Sequence, residues 1–255
     1  MRRLPCRQPW LDKKIINSIL QKAYKPKKIK NLRIISFSRL YKHLSKTEIE
    51  LINNFLKLNP RKYGFKGKFF GVGKVPKNLV SIRNQKYNFS GKKEIIEEQY
   101  LPQPVYMAFQ RMNKVLDGET GRKLLIDSGY RSPAYQTILF LYYLKLHEFN
   151  FLRTAQGVAF PGYSEHGNPE RQAIDFITID GVPSDEKSSS FEKTKEFKWL
   201  IKNASKFGFY LSYSKNNKDG VMYEPWHWHF LLGGNKTRRW SGRITKKSNA
   251  LDGDD

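Results

Sequence analysis

In KKIINSILQKAY, residues 13–24, apolar side chains recur at Ile15, Ile16, Ile19, Leu20 and Ala23, with lysines opposite. That spacing predicts a helix with one apolar face, suited to docking on the fold or to lying on a membrane surface. Pro26 interrupts it. The stretch SKTEIELINNFLKL opens with Ser45 and Glu48 in capping-box spacing and carries Ile49, Ile52, Phe55 and Leu56 at helical spacing, which predicts a second helix. Residues 59–100 lose the period. They are rich in Gly, Lys, Pro and Asn, with short apolar pieces such as Leu79-Val80-Ser81-Ile82, and read as loops with one or two strands.

From Pro102 the pattern becomes regular. Residues 105–116 read as a helix, 123–127 as a strand, and 135–147 as a helix after Pro133, which suits a first turn. Residues 173–179 read as a strand ending at the turn pair Asp180-Gly181. A helix over 192–207 follows Ser189 in a second capping box and stops at Gly208, and residues 226–232 make a last strand. Strands and helices mixed without strict alternation predict an α+β fold, with helices on a small, mostly antiparallel sheet. The regions expected are a partly helical N-terminal part, 1–100, a core over 101–235, and a polar tail over 236–255.

At 255 residues the chain suits one well-filled domain with an added region, and 39% hydrophobic content can supply its interior. Cys6 is the only cysteine, so neither an internal disulfide nor a multi-thiolate metal site is possible. The first 30 residues are basic but lack the apolar run of a standard export signal, and no stretch approaches the roughly 18 apolar residues of a spanning helix. The net charge of +24 is uneven: residues 1–100 hold 25 Lys and Arg against 6 Asp and Glu, the remainder 22 against 17. Such a field attracts polyanions: nucleic acid, anionic lipid or acidic cell-wall polymer.

Candidate chemistry gathers in two clusters, PGYSEHGNPERQAIDF at 161–176 and EPWHWHF at 224–230. A hydrolytic zinc site needs about three His, Asp or Glu ligands and a further carboxylate to take a proton from water. His166, Asp175 and His227 fit the first requirement and Glu224 the second. Alternation along a strand puts His227 and His229 on one face, although only one is required. Singly, each of these residues has an ordinary reading as a hydrogen-bonded core group or a turn former.

A further motif, SGYRSPAYQ at 128–136, completes an ordered set: SGYRS with Gln five residues after its Arg, then Ser-x-His, Ala-x-Asp and Glu-Pro-Trp-His. Over residues 102–232 this set resembles the LAS-type zinc metallopeptidases, and more narrowly the D-alanyl-D-alanine carboxypeptidases of vancomycin-resistance systems. The resemblance implies His166, Asp175 and His227 as zinc ligands and Glu224 as the general base that also protonates the leaving amine. It sets Arg131 near the scissile carbonyl, and Gln136 and Ser164 at the substrate's terminal carboxylate. A planar guanidinium suits a developing oxyanion, and buried neutral donors can select a free C-terminus.

The implied substrate is a peptidoglycan stem peptide losing its terminal D-Ala, which points to the cell envelope, with nucleic acid not expected as the functional partner. The basic N-terminal region would face anionic cell-wall polymer or a membrane surface. Two other readings use the same residues: an L-alanyl-D-glutamate or cross-link endopeptidase of lysin type, and a non-catalytic, zinc-containing polyanion-binding protein. Gln136 and Ser164 favour the carboxypeptidase, while Glu224 and Arg131 argue against the binding protein. One departure stands out. Asp175 lies nine residues after His166 where the family pattern has seven, and Arg171 stands at the pattern's glycine. The extra residues fall in Gly167-Asn168-Pro169-Glu170, a turn-forming stretch that leaves both ligands in place or reshapes the pocket. His229 is expected beside the ligands rather than among them.

Overall fold

The computed structural model describes residues 11–25, 29–63, 65–182, 188–217 and 222–231, so the expected polar tail lies outside the described residues. Helix α1 (Lys13–Tyr24) starts at Asp12, whose carboxylate accepts from the Lys14 and Ile15 amides, and it buries Ile16, Ile19, Leu20 and Ala23. It is followed by α2 (Phe37–Tyr41) and α3 (Lys46–Leu56). The capping box of α3 is present as the sequence predicts, the Ser45 amide donating to Glu48 Oε2 at 2.6 Å.

Residues 59–100 contain more strand than expected: β1 (Leu79–Ile82), β2 (Lys86–Phe89), β3 (Lys92–Ile95) and β4 (Gln99–Pro102). β1 pairs with β4 and β2 with β3, both antiparallel. Every residue of β3 is exposed, so it has no apolar alternation by which to be read.

Next come α4 (Gln103–Thr120), β5 (Leu124–Ser128), α5 (Pro133–Leu146), α6 (Phe151–Gly157) and β6 (Ala173–Thr178). The chain continues with α7 (Ser188–Lys193), α8 (Lys195–Asn203), β7 (Phe209–Leu211) and β8 (His227–Phe230). The single helix expected over 192–207 is broken. Thr194 ends α7 and caps α8 by accepting from the Phe197 amide at 3.1 Å, and a 3-10 turn then runs to Gly208, whose φ of 87° closes it. Ser189, the expected cap, has a side chain outside the described set.

The main sheet is antiparallel throughout, in the order β5-β6-β8-β7. The fold is α+β, as expected. Side-chain alternation divides this sheet. Ile174, Phe176, Trp228 and Phe230 enter a core shared with Phe109 and Met112 of α4 and with Phe197 and Leu200 of α8. A second core joins α1, α2, α3, α5 and α6 around Phe55, Phe140, Phe151 and Phe160. At its centre is α5, apolar nearly all round as a buried helix must be.

The N-terminal region also grips the loop leading into α5. Ser132 donates its amide to Arg33 O at 2.8 Å and its hydroxyl to Ile35 O at 2.6 Å. Residues 65–70 run beside the later loop at 162–164: the Phe70 amide bonds Gly162 O, and the rings of Phe65 and Phe69 pack on Tyr163. The described part of the basic region therefore packs on the same unit.

Glu48 provides a test of that packing. Burial opposes its ionisation, but hydrogen bonds from Lys22, Ser45 and Ser18 outweigh burial and hold its carboxyl below the usual range. A depressed pKa adds stability above the unfolded value of about 4.3 and loses it as pH falls through the folded one. Glu48→Gln is expected to cost about 1–3 kcal/mol in denaturant titrations at pH 7. The gap to wild type should close below about pH 4, and an equal gap at both pH values would contradict this account.

Candidate active site

The register of the sheet builds the first half of the site. β6 and β8 pair so that Asp175 lies opposite His227, on the face turned away from the Trp228 core. Directly opposed residues have Cβ atoms about 5 Å apart, close enough for both side chains to reach one point. His227 Nδ1 is 2.8 Å from Asp175 Oδ1. Glu224 is folded back beside them by the Glu224-Pro225-Trp226 turn, in which the His227 amide bonds Glu224 O and the Trp228 indole donates to Pro225 O. Glu224 Oε2 comes to 3.7 Å from His227 Nδ1.

The second half comes from two loops that hold each other. Arg131 donates its amide to His166 O at 3.0 Å, and His166 Nδ1 donates to Gly129 O at 2.8 Å. Gly129 must be glycine, since a Cβ there would fall on the Tyr100 carbonyl oxygen. This bond fixes the His166 tautomer. With its proton on Nδ1, the ring turns the Nε2 lone pair toward Asp175 Oδ2, 3.1 Å away. Burial, reinforced by the charge of Arg131, pushes His166 down to about 4, so it is neutral at pH 7. Its Nε2 is buried and makes no hydrogen bond.

Two acceptors facing each other in the interior are unfavourable unless a cation lies between them. His227 carries the same message. Burial alone would lower its pKa, but Asp175, Glu165 and Glu224 outweigh burial and push it up to about 10. The groups therefore ask for a positive charge at Nδ1, either a proton or a metal ion. One ligand atom from each of His166, Asp175 and His227 lies within 4.8 Å of the other two, so the three residues read from the sequence converge. The longer connection between His166 and Asp175 leaves both in place, its extra length taken up by 3-10 turns over Glu165–Gly167 and Pro169–Arg171.

Arg131 reaches Asp175 Oδ2 with Nη2 at 3.7 Å, and its Nε is buried without a hydrogen bond. Gln136 is buried in the first turn of α5, where its Nε2 donates to Ala159 O at 2.8 Å and its Oε1 has no partner. Ser164 is buried two residues before His166. Burial, with Asp175 and Glu165 adding to it, pushes Glu224 up to about 7 against the opposing charges of His227 and Arg131.

His229 is not in the ligand group. Ser212 has a single hydroxyl proton, which it donates to Glu165 Oε2 at 2.5 Å, so it accepts from His229 Nδ1 at 2.8 Å. Glu165, passed over in the sequence, accepts from His227 Nε2 at 3.1 Å and from Arg171 Nε at 2.6 Å. Tyr213, also unread, lays its ring 4.8 Å from that of His227.

The family model for D-alanyl-D-alanine carboxypeptidases, VanY, matches residues 98–233, more than half of the chain. The chain belongs to this family. Two curated relatives are each 28% identical: YodJ of Bacillus subtilis (strain 168), named as a carboxypeptidase, and the D-alanyl-D-alanine carboxypeptidase of Enterococcus faecium. The matches cover 64% and 62% of this chain but 63% and 48% of those relatives, so this VanY-family chain spans about half to two thirds of their length. Among solved structures, the LD-carboxypeptidase LdcB aligns at 32% identity with a TM-score of 0.48, covering 61% of this chain and 69% of that one. A variant of the vancomycin-resistance D,D-pentapeptidase VanY in complex with Zn(II) aligns at 22% identity with a TM-score of 0.42, covering 58% and 79%. The four motifs of this VanY-family chain all lie within residues 98–233.

Proposed function

We propose that the protein is a zinc-dependent D,D-carboxypeptidase that removes the terminal D-Ala from peptidoglycan stem peptides. The observation that carries this reading is a carboxylate, Glu224, 3.7 Å from the nitrogen of a three-residue ligand cluster that also faces a guanidinium. His166 through Nε2, Asp175 through its carboxylate and His227 through Nδ1 are the zinc ligands, a donor set suited to that ion. Zinc bound there supplies Lewis acidity, lowering the pKa of water toward about 7 and polarising a carbonyl oxygen.

The chain's own groups do the rest. Glu224, held near neutrality by burial, takes a proton from the attacking water and returns it to the amine of the departing D-Ala. The unpaired Nε of Arg131 is a donor for the oxyanion that forms. Ser164 and Gln136 receive the substrate's terminal carboxylate, Ser164 through its hydroxyl and Gln136 through the second hydrogen of its Nε2, the first being donated to Ala159 O. Such a substrate belongs to the cell envelope, where the excess of Lys and Arg in residues 1–100 would hold the protein against anionic wall polymer and release it as salt rises. Among the described residues no helix is long and apolar enough to cross a membrane.

Zinc-loaded protein incubated with a stem pentapeptide ending in D-Ala-D-Ala should yield, by mass spectrometry, a product lighter by one alanine. A C-terminal amide of the same peptide should resist. Cleavage inside the stem, or an intact peptide beside stoichiometric zinc, would overturn the carboxypeptidase reading.

A further inference from the structure

Glu165 is a carboxylate with almost no exposure, and each of its oxygens is assigned. Oε1 accepts from Arg171 Nε at 2.6 Å; Oε2 accepts from Ser212 Oγ at 2.5 Å and from His227 Nε2 at 3.1 Å. The charge-assisted bond from Arg171 Nε to one oxygen restrains rotation of the carboxylate and so helps to set the position of the other oxygen. That other oxygen is the one that holds the imidazole.

We infer that Arg171 is a positioning residue: acting through Glu165, it orients the His227 ring so that Nδ1 presents its lone pair to the metal. The route is geometric at every step. A proton kept on Nε2 by a carboxylate leaves Nδ1 as the coordinating atom and fixes the plane of the ring, as outer carboxylates do for histidine ligands generally. Arg171 ends the 3-10 turn Pro169–Arg171, which Asn168 starts by accepting from the Glu170 amide at 3.1 Å. The next residue, Gln172, ties the turn back by donating to His166 O at 3.2 Å and to Ala173 O at 2.7 Å. The segment that spaces two of the ligands thus also clamps the third. His229 is part of the same clamp through Ser212, which is why it lies close to the cluster without entering it.

The rival account gives Arg171 only the task of neutralising a buried charge, in which case its loss lowers stability and leaves metal affinity alone. The inference rests on the zinc reading above, and the experiment separates the two. Metal-stripped protein is titrated with zinc against a chromophoric chelator for wild type, Arg171→Gln, Arg171→Lys, Glu165→Gln and the double variant, with thermal melts of the stripped forms alongside. Arg171 is about a third exposed at a surface turn, so its variants should remain folded.

Glu165→Gln should weaken zinc binding by roughly 10- to 100-fold. Arg171→Gln should weaken it severalfold, with Arg171→Lys falling between that variant and wild type. The double variant should match Glu165→Gln alone, because a residue acting through another adds nothing once its intermediary is gone. Unchanged affinity in Arg171→Gln, or losses that add in the double variant, would overturn the positioning role and leave the zinc site standing. A wild type that takes up no zinc would overturn both.

Discussion

Under the proposed function, Glu224→Gln should leave a folded protein that still takes up one zinc ion and yet turns over a stem peptide ending in D-Ala-D-Ala roughly 10²- to 10⁴-fold more slowly. Glutamine keeps the shape of glutamate and the turn that carries it, since the bonds fixing that turn come from the Glu224 carbonyl and amide and from Pro225. What it loses is the capacity to accept a proton. Glu224 is outside the convergent group of His166, Asp175 and His227, so zinc content should not change. In wild type the carboxylate must be ionised to act, and burial, aided by Asp175 and Glu165, raises its pKa to about 7 against the charges of His227 and Arg131. The rate should therefore fall on the acid side, and zinc's positive charge should shift that limb to lower pH. The variant's residual rate should lose the limb. Parallel measurement of kcat and bound zinc decides the matter: a variant with full turnover removes Glu224 from the chemistry, and one without zinc makes it a ligand.

The site was legible where local pattern and chemistry coincide. In EPWHWHF the alternation alone separates Trp228 and Phe230, which enter the core, from His227 and His229, which face the other way. The i to i+3 spacing of Glu224 and His227 becomes a contact because a proline turn folds one back on the other. Other features depend on contacts that spacing does not encode. Nothing local tells that Asp175 registers opposite His227, 52 residues on, rather than one position away on the opposite face. Glu165 stood in plain view between Ser164 and His166, but two of its partners, Ser212 and His227, are 47 and 62 residues distant. Arg171 read as a departure from pattern, and its meaning is visible only with Glu165 beside it. Likewise the apolar face of α1 announced that something covers it, while the covering helix, α5, is apolar nearly all round and so points in no one direction.

The core around α5 sets up the largest expected loss of stability. Phe55, on α3, is 1% exposed, with its ring 4.8 Å from Phe140 of α5 and 5.7 Å from Phe160. Phe55→Ala should cost about 3–5 kcal/mol, the range for a buried phenylalanine truncated in a close-packed core. At about 2–4 °C per kcal/mol for a chain of this size, the melting temperature should drop by roughly 6–20 °C. Phe89→Ala, at a half-exposed ring on β2, should change stability by less than about 0.5 kcal/mol and provides the control. The effect should reach the chemistry, because α5 begins at the Arg131-Ser132 loop and carries Gln136, and Ser132 is bonded to Arg33 and Ile35. A chain begun at residue 98, where the family likeness starts, would lose the cover that residues 11–65 give to Ile138, Phe140, Leu141 and Leu144, and should lack a stable ligand cluster. If Phe55→Ala melts with wild type, α1 to α3 are a detachable cap and the site stands on the sheet alone; if it falls as expected, the basic N-terminal region is a structural wall of the active site.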